Sequence, residues 1–190
     1  RLGANLAIGY YRQTHEGLTP ELPVYRYLQN VILKEAPQAA MSEQAARNLA
    51  GSFLFSGEDQ EKLLGQMSGG ERTRAVLAGL LASAKNLLIL DEPTNHLDIP
   101  SSERLEDVLS AGDEENPNPD AFEGTMILIS HDRALLDATC DHLIVLDGDG
   151  NAEIFLGGFT LWHEKSIQRK READRKAAEE KSRREDNQRR

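Results

Sequence analysis

Two adjacent acids, Asp91 and Glu92, close an unbroken apolar run, Leu87-Leu88-Ile89-Leu90. A run without alternation reads as a central parallel strand buried on both faces, and open α/β sheets bind ligands at the carboxyl ends of such strands. There one carboxylate can hold Mg²⁺ directly or through water, and its neighbour can orient the water that attacks a phosphoryl group. His131 stands just past a second apolar run, Met126–Ile129, which also reads as a buried strand. At that edge its imidazole could donate to a γ-phosphate.

Ser68-Gly69-Gly70-Glu71 offers a different chemistry. Ser68 and Glu71 fit the S-x-x-E box that opens a helix, a cap worth ~1 kcal/mol that needs no ligand to explain it. The box does not ask for Gly69 and Gly70. Glycines there weaken the first turn, but they let a ligand approach free backbone N–H groups at the positive end of the helix dipole, an arrangement suited to phosphate.

Several elements must position these groups. A helix from about Glu71 to Ala84 carries the glycine pair toward the Leu87–Leu90 strand. Residues Val24 to Glu35 and Ser42 to Leu54 have helical spacing with Pro37 between them, and read as ordinary core. Leu6–Tyr11 reads as a short strand, followed by Gln13 and a loop containing Gly17 and Pro20. Pro100 and Ser101 start a helix with Leu105, Val108 and Leu109 on one face. Ala111–Glu123 holds five acids and two prolines without a basic residue, a composition that reads as a solvated loop. His142–Leu146 and Ala152–Leu156 form a hairpin around Asp147-Gly148-Asp149-Gly150, and from about Thr160 one helix runs to the end.

Taken together, these motifs resemble the ATP-binding cassette (ABC) domains. Ser68–Glu71 is similar to their signature loop, Leu87–Glu92 to their Walker B strand with its catalytic glutamate, Asn95-His96-Leu97-Asp98 to their D-loop, and Ile129–Arg133 to their switch-histidine segment. DEPTNHLD followed by SHDR and a late GGF-x-x-W segment resembles the ABC-F subfamily, soluble paired ATPases that act on ribosomes; Phe53–Asp59 resembles the lead-in to the signature of their second cassettes.

The resemblance implies an α/β fold: a partial P-loop NTPase cassette in residues 1–163, with a parallel core sheet and a helical subdomain at about 20–85. The Walker B strand to the switch histidine spans 87–133, closing strands lie at 142–156, and 164–190 is a charged helical tail. It implies ATP and Mg²⁺ as cofactors, Glu92, His131 and Gln13 as catalytic residues, and Asp91 and Gln13 as Mg²⁺ ligands. Ser68, Gly69, Gly70, Glu71, Asp91, Asn95 and Asp98 would bind nucleotide. Cassettes of this kind work head to tail, so Ser68 to Gly70 would serve a second cassette's ATP.

No G-x-x-x-x-G-K-[ST] occurs, and the dipeptide Gly-Lys is absent altogether. The loop that grips the β- and γ-phosphates lies upstream, in this family, of the Q-loop, whose glutamine Gln13 resembles. With Gln13, Glu92 and His131 all present, and Arg1 in place of an initiating Met, the expectation is a chain truncated before the Q-loop and inactive by itself.

Composition bounds the partners. The longest apolar run, Ala75–Ala84, is too short to span a bilayer, and the single cysteine, Cys140, excludes an internal disulfide and fits a reducing, cytoplasmic setting as buried filler. Residues 1–163 carry 11 Lys/Arg against 25 Asp/Glu, a net charge of −14, whereas residues 164–190 carry 11 against 7, a net of +4. A body so acidic does not by itself attract RNA; the tail is either a solvated linker with no heptad seam or an arm whose cations meet phosphates. Two other readings are the ATPase subunit of an ABC transporter and a chromosome-structure or repair ATPase head. The first needs a groove for a membrane partner, and the second needs coiled-coil heptads that the tail lacks.

Overall fold

A computed structural model describes residues 5–12, 18–112, 116–119 and 121–188, with side chains through residue 180. It divides into two compact units, residues 1–135 and 136–190, a division upstream of the body and tail distinguished by charge.

The first unit is built on three parallel strands, β1 (Ile8–Tyr11), β2 (Leu87–Asp91) and β3 (Thr125–Ile129), with β2 in the middle. Their register pairs Tyr11 with Leu90 and Asp91 with Ile129, so β2 and β3 present their carboxyl ends side by side. One sheet face carries Tyr11, Leu88, Leu90, Met126 and Leu128. It packs under α3 (Gly69–Leu81) and α4 (Ile99–Leu109), joining Leu77, Leu105, Leu109 and Leu135 in one core.

The opposite face corrects the expectation of a buried β3 but not that of β2, whose Leu87 is buried on this side as well. Ile8, Tyr10, Ile127 and Ile129 are about half exposed, at 46 to 51%. An apolar run is ambiguous on this point, because β2 and β3 carry the same residue types, yet only β2 has a paired strand on each side.

A second core lies among helices. α1 (Val24–Glu35) and α2 (Glu43–Ser52) pack with the far side of α3, burying Val24, Leu28, Ala50, Phe53, Phe55, Leu64 and Met67 against Ala75 and Ala78. Ser42 caps α2 by accepting from Ala45 N. Helix α3 starts at Gly69 and stops at Leu81, earlier at each end than the sequence pattern indicates. At its end the Ser83 hydroxyl donates to Leu80 O and Lys85 N to Ser83 O, local bonds that compete with further helix.

Described residues of the acidic stretch 111–123 are exposed or half-buried, as a solvated loop should be, yet two of them are tied back to the body. Asn118 donates its side-chain amide to Asp107 O and Ser110 O, Phe122 N bonds Val108 O, and the Phe122 ring packs on the sheet core.

The first unit ends within α5 (Arg133–Thr139). In the second unit β4 (His142–Leu146) and β5 (Ala152–Leu156) pair antiparallel, Ile144 opposite Ile154, about a turn in which Asp147 accepts from Asp149 N and Asn151 N. The thirty-residue α6 (Phe159–Gln188) follows. Asp137 fixes its first turn by accepting from Thr160 N and Oγ1, and these bonds hold the Asp137 carboxyl below its ordinary range. Burial pushes the Cys140 thiol up, away from the reactive thiolate.

Candidate nucleotide site

Asp91 is the last residue of β2, and Glu92 extends the ladder by donating its N–H to Ile129 O at 2.8 Å. The chain then turns sharply: Glu92 sits at φ +49°, a left-handed conformation that costs a non-glycine residue about 1 kcal/mol or more. Pro93 behind it is fully buried, and Asn95 N bonds Glu92 O at 3.2 Å. This turn aims the Glu92 carboxylate across the strand ends, where its Oε1 lies 3.5 Å from His131 Nε2. The two ends of the pair differ: the Glu92 side chain is 15% exposed and that of His131 98%.

His131 is held from both flanks. Ser130 Oγ accepts from Asp132 N at 3.0 Å, and Asp132 Oδ1 accepts from Ala134 N and Leu135 N at the start of α5. Ser130 and Asp132 spend their oxygens on backbone, and the histidine between them projects into solvent.

At the start of α3 both halves of the expected capping box are present. Ser68 Oγ accepts from Glu71 N at 3.3 Å, and Glu71 Oε2 accepts from Ser68 N at 2.6 Å. Lys62 adds a clamp the sequence pattern does not mark, with Nζ at 2.7 and 2.9 Å from the two Glu71 oxygens. Partial burial alone would push the Glu71 carboxyl up, but hydrogen bonds from Lys62 and Ser68, with the Lys62 charge, outweigh it and hold it at about 2. Glu71 thus fixes the loop from within. The helix itself has no acceptor for the Gly69 and Gly70 N–H groups, which lie in its first turn.

Asp98 has a parallel role, capping α4 by accepting from Ser101 N at 3.0 Å; the Ser101 bonds and the nearby Arg74 charge lower its carboxyl. Arg74 also donates to Ser101 Oγ at 2.8 Å and lies over the Phe55 ring, tying α3 to α4. Gln13, expected beside the metal, lies outside the described residues. The structure therefore brings Asp91, Glu92 and His131 to one sheet edge. It employs Glu71 and Asp98 in helix caps, with Asn95 inside the turn between Glu92 and Asp98. Lys62 escaped sequence reasoning because no periodicity or motif spacing marks it, and the Ser130–His131–Asp132 motif did not show that its serine and aspartate bond backbone N–H groups.

Asp91, a hard oxygen donor at the strand's end, fits a Mg²⁺ that arrives on a nucleotide. Among the described residues no three His, Cys, Asp or Glu gather into a cage of their own.

Residues 4–95 match the family model described as ABC transporter. The chain is 36% identical over 183 residues to YfmR of Bacillus subtilis, named an uncharacterized ABC transporter ATP-binding protein, covering 95% of this chain and 27% of YfmR. It is 34% identical over 173 residues to the energy-dependent translational throttle protein EttA of Mycobacterium tuberculosis, covering 89% and 29%. The ATP-binding protein Uup of Caulobacter vibrioides is 34% identical over 165 residues, covering 84% and 24%. The chain thus spans between 24% and 29% of the length of these relatives. Among solved structures, the ATP-binding cassette MJ0796 in a dimeric post-hydrolysis state with ADP and Pi superposes with a TM-score of 0.58 at 22% identity, covering 78% of this chain and 62% of that one. A second dimeric structure of that cassette gives 0.55 at 24% identity, covering 74% and 59%. The fold is that of an ABC cassette.

Proposed function

We propose that the chain carries an ABC ATPase cassette domain, a reading that its family match over residues 4–95 and its cassette fold support, and that it is the second cassette of an ABC-F protein that hydrolyses ATP on the ribosome. The observation that carries the ATPase reading is the Glu92 carboxylate, turned out of the β2 strand end and facing His131 at 3.5 Å.

In this reading Asp91 holds Mg²⁺, which neutralises phosphate charge when bound. Glu92 orients a water and draws its proton while the water oxygen bonds the γ-phosphorus; the β–γ bridging P–O bond breaks and ADP leaves with its electron pair. His131 and Gln13 sense the γ-phosphate, His131 by donating to one of its oxygens. Ser68, Gly69 and Gly70 cap the nucleotide of a second cassette in the same protein, with Glu71, Asn95 and Asp98 setting the shape of that surface. Both solved neighbours are dimeric cassettes, which supports such pairing. The ribosome enters through likeness to a protein named a translational throttle, and through a basic α6 on an acidic body. Likeness to EttA and Uup favours this over the transporter reading, and among the described residues no helix is long and apolar enough to cross a membrane. We place the protein in the cytoplasm. The polypeptide alone, lacking any Gly-Lys, would not turn ATP over.

The test is Glu92→Gln in the intact protein. ATP binding should persist while single-turnover cleavage slows roughly 10²- to 10⁴-fold; an unchanged cleavage step removes Glu92 from the chemistry.

A further inference from the structure

The two glycines of the signature loop occupy different surroundings. A Cβ built on Gly69 meets nothing within 4 Å, whereas one built on Gly70 would stand 2.5 Å from the carbonyl oxygen of His96. That is a backbone atom, which no rotamer change can move aside. His96 is itself in the left-handed region, at φ +69°, and this conformation directs its carbonyl against the start of α3.

The segment bearing that carbonyl begins at Glu92. Asn95 N bonds Glu92 O and Leu97 N bonds Thr94 O, so Glu92 to Leu97 is a run of linked turns. Its far end is pinned where Asp98 caps α4 and Arg74 reaches Ser101. Glu92 is likewise left-handed, at φ +49°. A displacement of His96 therefore has little slack to disappear into, and it is passed back along the turns toward the Glu92 carboxylate.

We propose that Gly70 is a positioning residue for Glu92: the missing side chain seats the His96 carbonyl, and through it the turn that aims the carboxylate. Gly69, open on its Cβ side, is the glycine that admits a nucleotide held by the other cassette. The helix start that serves the partner's ATP and the carboxylate that serves this cassette's own ATP thus share one backbone contact. This rests on the reading of Glu92 given above.

The experiment uses the intact two-cassette protein with the other cassette's catalytic carboxylate silenced, so that cleavage reports the Glu92 site alone. Gly70→Ala should lower single-turnover cleavage there roughly 10- to 100-fold, as expected for misplacing a reacting group by about an ångström, with ATP affinity at the Glu92 site unchanged. Gly51→Ala in α2, where a Cβ meets only Gln60 Nε2 at 3.9 Å and which lies outside the nucleotide machinery, should leave that step within about threefold. His96→Gly, which frees the turn, should restore Gly70→Ala to within about threefold, a rescue that general unfolding would not give. Equal behaviour of the two alanine variants, or no rescue, overturns the proposal. Glu92→Gln in the same background separates the premise from the inference: if cleavage survives that change, the assignment of Glu92 fails first.

Discussion

Glu92 and His131 leave adjacent parallel strands one and two residues beyond the paired Asp91 and Ile129, and their side chains meet at 3.5 Å with one nearly buried and the other nearly bare. The buried member is fixed by a left-handed turn and Pro93, the bare one only by its neighbours' turn bonds. The carboxylate is thus the preorganised partner, and the imidazole is the one free to adjust to a ligand.

That asymmetry gives the first prediction. His131→Ala should reduce cleavage in the intact protein by roughly 10²-fold, the scale for loss of one preorganised donor, without changing the thermal midpoint, because the side chain is 98% exposed. A shifted midpoint with normal cleavage would make His131 structural.

Lys62 governs acid stability through Glu71. A carboxyl held at about 2 when folded stabilises the protein above the ordinary carboxylate range, and that contribution is lost as pH falls toward 2. Lys62→Met removes the clamp, so Glu71 protonates at a higher pH and the acid-unfolding midpoint, followed by circular dichroism, should rise. At neutral pH the cost should be about 1 kcal/mol, since both side chains are partly exposed. An unmoved acid midpoint would show that Ser68 alone sets the Glu71 carboxyl.

The sheet's two faces should respond differently to truncation. Leu88→Ala, at a fully buried position, should cost about 2–5 kcal/mol in urea unfolding. Ile127→Ala on the half-exposed face should cost well under half as much. Equal losses would mean that the second face is covered in solution.

The basic tail is predicted to contribute electrostatic affinity for RNA. Arg169 is paired with Glu153 at 2.6 Å, leaving Lys170, Arg171 and Lys176 among the better placed cations. Changing these three to Gln should flatten the slope of log affinity against log salt by roughly 3, using the duplex-DNA coefficient as a guide. Ribosome binding over a salt series measures this; an unchanged slope makes α6 a solvated linker.

Local signals carried much of this fold. Helix α1 and both strands of the β4–β5 hairpin begin and end where the apolar spacing puts them, and the S-x-x-E box forms as written. Sequence failed where an outcome depends on a distant partner. The run Met126–Ile129 does not reveal that one side of its strand stays half exposed, and the acidic stretch's composition does not mark the bonds made by Asn118 and Phe122. At the site, Asp91, Glu92 and His131 were legible as residues at strand ends. The Lys62 clamp and the Gly70–His96 contact were not, because they follow from a loop's path and from a positive φ at a histidine.

Helix α3 places Leu77 in the core beneath the sheet and Ala75 and Ala78 in the core among the helices. A wall common to two rooms cannot be taken down for one alone. The first unit should therefore absorb heat in a single calorimetric peak whose van't Hoff and calorimetric enthalpies agree, and its slowest-exchanging amides should lie along α3 and β2 together.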